Sequence, residues 1–143
     1  MALPLFVYGT LKRSAAGMPH ALLRGARLVS SASMSGSLYD LGEYPGVDRR
    51  SATSRRVFGE LYVLPDQGAA TLRALDRYEG AEFVRQRVFV TLRDGRRRAA
   101  WTYVLRKRPS KSARALLSGR YPPKRGAAQP CVGRQSGNAK PLG

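Results

Sequence analysis

The segment Val57–Leu64 is the strongest strand signal in the sequence, and it constrains the fold more than any other feature. Six of its eight residues are apolar, and four of those are β-branched or aromatic types that favour strands. Pro65, which cannot continue a strand ladder, ends the segment. A second apolar segment, Pro4–Tyr8, is closed by Gly9 and is predicted to be a buried strand. Both segments indicate a sheet at the centre of the fold.

Further strand segments follow along the chain. The dipeptide Asp94-Gly95 is a strong hairpin signal, and it separates the strand segments Arg87–Leu92 and Arg98–Leu105. The region Arg27–Tyr39 is predicted to be a long strand with an interruption at Gly36. These segments add at least three strands to the predicted sheet.

Two helices are predicted between the strands. Gln67–Tyr78 has helical periodicity, and Gly80 is its C-terminal stop. A shorter helix, Pro19–Arg24, would stop at Gly25. Because strands outnumber helices and do not alternate regularly with them, the sequence predicts an α+β fold around an antiparallel or mixed sheet.

Positive charge is concentrated in the second part of the chain. The formal net charge is +17, the last acidic residue is Asp94, and 13 of the 26 Lys and Arg residues follow it. The sequence beyond residue 105 is rich in Pro, Gly, Ser and basic residues, a composition with little apolar surface to bury. We therefore predict one domain over residues 1–105 and a basic tail over residues 106–143. Such a tail would contact anions or nucleic acid nonspecifically, since no sequence motif for specific recognition accompanies it.

Cysteine and histidine are too scarce for a disulfide or a typical metal site. The chain has one Cys and one His, which leaves too few ligands for zinc. A single cysteine is also typical of the reducing cytoplasm, where we expect the protein to reside. No run approaches the roughly 20 apolar residues that span a bilayer, and the first residues lack the features of a secretory signal. We expect no metal, no organic cofactor and no membrane contact.

Glu79 is the first candidate for catalytic chemistry. On the predicted helix, Leu72, Leu75 and Glu79 share one face, so the apolar stripe that meets the core ends in a carboxylate. Burial and the dipole of the helix C-terminus would both raise the pKa of Glu79, as a general acid or base near neutral pH requires. Two alternatives stay open: Glu79 lies in a frayed last turn and faces water, or Glu60 is the buried carboxylate instead.

The turn after the first strand, Tyr8-Gly9-Thr10-Leu11, is the second candidate. Gly9 can adopt dihedral angles that are closed to other residues and can let a ligand approach the backbone. Successive amide N–H groups in such a turn form a small anion-binding concavity, which suits a carboxylate. A plain strand-ending turn is the alternative for the same residues.

Four segments of the sequence occur in an order that is typical of one family. They are Phe6-Val7-Tyr8-Gly9-Thr10-Leu11-Lys12, Leu38-Tyr39-Asp40-Leu41-Gly42 with Tyr44-Pro45-Gly46, Val57-Phe58-Gly59-Glu60-Leu61-Tyr62, and Leu75-Asp76-Arg77-Tyr78-Glu79-Gly80. Over about residues 4–105, the chain resembles the gamma-glutamylcyclotransferase-like family, also called AIG2-like. The resemblance implies a compact mixed, mainly antiparallel β-barrel flanked by short helices, with a pocket at one end. It also implies site roles: substrate binding by Tyr8, Gly9, Thr10, Leu11 and Tyr103, and acid–base catalysis by Glu79.

The same resemblance implies an activity. A gamma-glutamyl cyclotransferase lets the α-amine of a glutamyl group attack its own γ-carbonyl, which releases pyroglutamate (5-oxoproline) and a free amine or amino acid. Two alternatives are removal of a γ-glutamyl protecting group in a biosynthetic pathway, and a noncatalytic binding module with an anion-binding tail. One departure is clear: family members often close with a Ser-Gly-Asp-Trp-like segment, where this chain has Ser118-Gly119-Arg120-Tyr121.

Overall fold

Strands dominate the computed structural model, which describes residues 3–9, 25–42, 44–50, 54–65 and 68–121. The strands of these ranges are β1 (Leu3–Val7), β2 (Arg27–Ser35), β3 (Ser37–Asp40), β4 (Pro45–Asp48), β5 (Arg56–Leu64), β6 (Phe83–Leu92), β7 (Arg97–Leu105) and β8 (Arg114–Ala115). The same ranges contain one helix, α1 (Gly68–Glu79). The helix predicted over Pro19–Arg24 lies outside the described residues, and so do Thr10 and Leu11 of the predicted substrate loop.

Five of the strands close into a barrel in the order β1-β5-β2-β6-β7. Four of the neighbouring pairs are antiparallel, and β1 closes the barrel by pairing parallel to β7, with Leu5 opposite Trp101. The hairpin predicted at Asp94-Gly95 joins β6 to β7, and Gly95 has the positive φ of 92° that such a turn favours. The prediction of an α+β fold built on a mixed, mainly antiparallel barrel is confirmed.

Three strands form a smaller sheet in the order β4-β3-β8. Its strand β8 lies beyond residue 105, where the sequence predicts the end of the domain. Tyr39 of β3 pairs with Ala115 of β8, and the amide of Phe58 in β5 donates a 2.8 Å hydrogen bond to the carbonyl of Gly119. The part of the predicted tail up to Tyr121 therefore packs against the domain, because its backbone groups satisfy those of β3 and β5. Residues 122–143 lie outside the described ranges.

Strand β1 is buried on both faces because it separates two apolar clusters. Phe6 and Tyr8 belong to the cluster that fills the barrel, whereas Leu5 and Val7 belong to the cluster beneath α1. All four side chains are at most 1% exposed. A strand covered on both sides has a continuous apolar sequence, as the prediction for Pro4–Tyr8 required.

Helix α1 covers part of the outside of the barrel through one face. The buried residues of the helix are Gly68, Leu72, Leu75 and Glu79. The side chains of Leu72 and Leu75 pack in the same cluster as Leu5 and Val7. Gly80 ends the helix with a φ of 77°, the left-handed conformation expected at this position. The predicted helix and its stop are therefore confirmed to within one residue at each end. Within the described ranges, no helix has the length and apolar character of a membrane span.

Candidate active site

Glu79 is buried at the last residue of α1. Its side chain is 1% exposed, which places it among the largest fully buried side chains of the described residues. The helical spacing from Leu72 and Leu75 explains this burial, because the three residues lie on the face that packs against the barrel. The alternative of a frayed turn with Glu79 in water is wrong.

Tyr8 lies close enough to Glu79 for the two side chains to interact electrostatically. Burial raises the pKa of Tyr8 well above its ordinary value, and the negative charge of Glu79 raises it further, against the opposing effect of a hydrogen bond with the Val47 backbone. The Tyr8 hydroxyl donates a 2.6 Å hydrogen bond to the carbonyl oxygen of Tyr103. The structure therefore brings the end of β1 and the end of α1, which are about 70 residues apart in sequence, to one place.

Two further tyrosines are influenced by the same carboxylate. The pKa of Tyr78 is raised, first by burial and then by the charge of Glu79. The pKa of Tyr103 is also raised, first by burial, then by its hydrogen bond and proximity to Asp76, with Glu79 contributing a smaller part. All three phenols thus stay protonated at neutral pH, and those of Tyr8 and Tyr103 act as hydrogen-bond donors.

The hydroxyl of Tyr103 is directed toward α1. It donates a 2.6 Å hydrogen bond to Oδ1 of Asp76, and the same oxygen lies 3.3 Å from Nε of Arg85. Arg85 in turn lies over the ring of Trp101, 5.0 Å from its centroid. This connection between β7, α1 and β6 holds the helix that carries Glu79. Sequence reasoning missed Asp76, although its position three residues before Glu79 places the two carboxylates on neighbouring parts of the helix surface.

The rival carboxylate, Glu60, has a different environment. It lies on the outward side of β5, is less buried than Glu79, and its Oε1 accepts a 3.0 Å hydrogen bond from the hydroxyl of Tyr62. The greater burial of Glu79 therefore makes it the better candidate for the buried carboxylate.

The start of the predicted substrate loop is held against β5. Gly9 is buried and follows Tyr8 at the end of β1. A Cβ atom placed on Gly59 would collide with the carbonyl oxygen of Val7 and would lie 3.0 Å from Cα of Tyr8. A glycine at position 59 therefore permits a close approach of the two backbones where the loop begins.

A surface cavity among the described residues lies elsewhere. A cavity of about 290 Å³ on the barrel surface is lined by residues of β2, β5 and β6 and by Arg120. None of its lining residues is a predicted site residue, although Gly59, which contacts the end of β1, is among them. The described part of the chain contains no group of three or more His, Cys, Asp or Glu residues that could hold a metal ion.

The barrel strands β2, β5, β6 and β7, helix α1 and strand β8 all lie within the part of the chain that matches a known family. Residues 5–123 match the family model described as "Gamma-glutamyl cyclotransferase, AIG2-like". The match spans most of the chain, so this chain belongs to that family. It also extends beyond residue 105, in agreement with the packing of β8. No curated protein sequence matches the chain.

Several solved structures have the same fold. YkqA from Bacillus subtilis is 26% identical with a TM-score of 0.66, and the alignment covers 84% of this chain but 39% of YkqA, so the chain spans well under half of that protein. YtfP from Escherichia coli is 31% identical with a TM-score of 0.56, over 83% of this chain and 96% of the other. An AIG2-like protein from Mus musculus is 24% identical with a TM-score of 0.61, over 76% and 80% of the two chains, and this likeness shows the fold alone.

Proposed function

We propose that this protein is a gamma-glutamyl cyclotransferase that cyclises a γ-glutamyl group and releases pyroglutamate with a free amine or amino acid. The observation that carries the proposal is the burial of Glu79, which is 1% exposed where the end of α1 approaches the end of β1. Membership of the family supports the class of reaction. The buried carboxylate supplies the group that the reaction needs for proton transfer.

Glu79 acts first as a general base. The α-ammonium group of a glutamyl substrate has an unperturbed pKa of about 7.7–8.0 and cannot attack a carbonyl until it loses a proton. Burial disfavours the charged form of a carboxylate, so a proton passes to Glu79 more readily than to an exposed glutamate. The freed amine then attacks the γ-carbonyl carbon of the same glutamyl unit and closes a five-membered ring.

Glu79 acts next as a general acid. The proton that it took from the α-ammonium passes to the leaving nitrogen as the γ-amide bond breaks. After attack the ring nitrogen carries one more hydrogen than the lactam keeps, and Glu79 passes this second proton to the released amine, which departs as an ammonium ion, so the cycle consumes no proton. Amide N–H groups of the turn Tyr8-Gly9-Thr10-Leu11 stabilise the oxyanion of the tetrahedral intermediate. Since nucleophile and electrophile belong to one molecule, holding the folded-back conformer supplies much of the rate.

Tyr8 and Tyr103 position this machinery. The hydroxyl of Tyr8 is fixed by the carbonyl of Tyr103 and by the backbone of Val47, so the residue before Gly9 cannot swing away from the barrel. Tyr103 borders the site through that carbonyl, while its own hydroxyl is bonded to Asp76 of α1. The two tyrosines thereby connect the start of the substrate loop to the helix that carries Glu79.

A mass-spectrometric screen for released pyroglutamate tests the proposal. The purified protein is incubated with γ-glutamyl dipeptides, glutathione and γ-glutamylamines, each beside a reaction with the Glu79→Gln variant. At least one class should yield pyroglutamate with the wild-type chain and none with the variant. A folded wild-type protein that releases no pyroglutamate from any of the three classes contradicts the proposed reaction.

A further inference from the structure

The outside of the barrel beside α1 has an unusual set of side chains. Three aromatic rings on this surface each lie beneath one or two guanidinium groups. The pairs are Phe58 with Arg120 at 4.2 Å, Phe89 with Arg97 at 4.9 Å, and Trp101 with Arg85 at 5.0 Å and Arg87 at 5.7 Å, measured to the ring centroids. We call this set the arginine–aromatic face. Phe89 is 62% exposed, so one large apolar ring lies in solvent at the centre of a basic surface.

Strand register makes the arginine–aromatic face continuous. Ser33 of β2 pairs with Phe58 of β5 on one side and with Thr91 of β6 on the other, and Thr91 pairs with Arg97 of β7. Because neighbouring strands lie about 4.8 Å apart, this row extends about 14 Å across four strands. Phe89 precedes Thr91 by two residues and therefore points to the same side of the sheet.

The cavity of about 290 Å³ opens within this row. Hydroxyl-bearing residues Ser31, Ser33 and Thr91 contribute to its lining together with the ring of Phe58 and with Arg120. Its volume is near the lower end of the range for small-ligand pockets. An apolar wall, several hydroxyl groups and a cation at the edge suit a ligand that has a flat ring, a sugar and a phosphate.

The charge of the surface favours an anionic ligand. Arg56 donates hydrogen bonds of 3.0 Å and 3.2 Å to the hydroxyls of Ser33 and Thr91, which brings another guanidinium beside the cavity. Two acidic residues near this surface each meet an arginine, with Asp94 2.8 Å from Arg96 and Asp76 3.3 Å from Arg85. Glu60, opposite Ser31 in the strand register, is the acidic residue on the β5 side. The arginine–aromatic face therefore presents a positive potential interrupted by aromatic rings.

We infer that the arginine–aromatic face binds single-stranded nucleic acid. An unpaired base stacks on the exposed ring of Phe89, the guanidinium groups of Arg87 and Arg97 contact phosphates, and one nucleotide occupies the cavity. Stacking platforms combined with a basic groove are the general means by which proteins hold single strands without sequence preference. A duplex hides the faces of its bases, and an acidic peptide offers charge without flat rings, so both fit this surface less well. This surface is folded and distinct from the tail, for which we propose only nonspecific anion contact.

Fluorescence anisotropy with labelled oligonucleotides of about 12 nucleotides tests the inference on the full chain. Thymidine and uridine homopolymers, a duplex of the same length and a heparin fragment are titrated at about 0.1 M salt. Both single strands should bind more tightly than the duplex and the heparin fragment, and the comparison between them distinguishes DNA from RNA. Duplex or heparin binding as tight as single-strand binding would overturn the inference, because it would show a general polyanion surface.

Two matched double variants distinguish the contribution of the arginine–aromatic face to binding from that of the protein's overall positive charge. Arg87→Gln with Arg97→Gln removes two cations from the face, and Arg73→Gln with Arg77→Gln removes two exposed cations from α1. The first pair should weaken single-strand binding at least about 10-fold more than the second, and equal losses would contradict the inference.

A third variant tests the stacking contribution. Phe89→Ala should weaken single-strand binding between about 5-fold and about 100-fold, because loss of one base–aromatic stack has effects of this size. Leu117→Ala, at a side chain that is 72% exposed, is the control and should leave binding unchanged. Circular dichroism and pyroglutamate release monitor the fold of every variant. A folded Phe89→Ala protein with wild-type affinity would rule out stacking on this ring.

Discussion

At the scale of single residues, the burial of Glu79 is costly. A glutamate at the C-terminal end of a helix is disfavoured by the helix dipole, and its transfer out of water adds a desolvation penalty. Leu72 and Leu75, which are 5% and 0% exposed, each contribute about 1.5–3 kcal/mol of apolar burial that offsets this cost. A helix whose only role was structural would be more stable with an apolar residue at position 79.

Replacing Glu79 by Gln should therefore separate catalysis from stability. The change keeps the shape of the side chain but removes the base, so turnover of a γ-glutamyl substrate should fall by about 10²–10⁴. The melting temperature should stay the same or rise, because an amide has a smaller burial penalty than an anion. Glu60→Gln is the matched control and should keep near-wild-type turnover. Full activity of the Glu79 variant with an inactive Glu60 variant would show that the catalytic carboxylate is Glu60.

Gly59 is the second position where one residue decides the geometry of the site. In Gly59→Ala, the new methyl group meets the backbone of Val7, which cannot move without shifting β1, so we expect a loss of about 1–3 kcal/mol in the free energy of unfolding. In Gly46→Ala the added atom meets the side chain of Leu105 and no backbone atom among its nearest neighbours, so we expect a smaller loss. Urea unfolding of the two variants measures the difference. A larger loss of unfolding free energy for Gly46→Ala would show that β1 yields to an added methyl group more easily than the side chain of Leu105 does.

At the scale of elements, α1 is fixed to the barrel by a polar contact in addition to its apolar face. Tyr103→Phe removes the donor to Asp76, whose side chain is 40% exposed, so solvent screening limits the expected loss to about 1 kcal/mol. Tyr39→Phe in β3 is the control for loss of a hydroxyl group. If α1 positions Glu79 as proposed, Tyr103→Phe should also lower turnover several-fold with little change in stability. Unchanged turnover would limit this contact to a structural role.

The elements also differ in how well the sequence predicts them. α1 was predictable because its apolar spacing and Gly80 are local signals, and the β6–β7 hairpin was predictable from Asp94-Gly95. Strand β4 (Pro45–Asp48) has no strand signal in the sequence, because Pro45 and Gly46 are turn formers, and only pairing with β3 makes it a strand. Strand β8 has two residues, Arg114 and Ala115, without any apolar pattern, and its backbone pairing with β3 alone defines it.

The candidate site likewise has features that local sequence patterns predict and features that only the tertiary fold determines. Burial of Glu79 followed from helical periodicity, since residues 72, 75 and 79 share one face. The proximity of Glu79 to Tyr8 depends on the closed barrel, and no local pattern encodes it. The direction of the Tyr103 hydroxyl, toward Asp76 of α1, depends on where the helix packs and could not be read from strand alternation.

At the scale of the whole molecule, the end of the packed domain can be tested by two truncations. A chain that ends after Pro123 loses four Lys and Arg residues but none of the contacts described, and it should keep its melting temperature and turnover. A chain that ends after Lys107 loses β8 and the Gly119 carbonyl, so its melting temperature should fall by about 5 °C or more. Differential scanning fluorimetry compares the two. Equal stability would place the end of the stable domain near residue 105.

The parallel pairing of β1 with β7 has a consequence for how the chain is made. The Thr102 hydroxyl bonds to the carbonyl of Phe6, 96 residues earlier, and Tyr8 reaches Tyr103 across 95 residues. A ribosome therefore releases β1, apolar on both faces, long before the strand that closes the barrel has been synthesised. Non-local closure of this kind slows folding and leaves an apolar strand exposed to aggregation or chaperone binding in the meantime. The vulnerable period of this protein is thus its synthesis, and it ends when β7 leaves the ribosome.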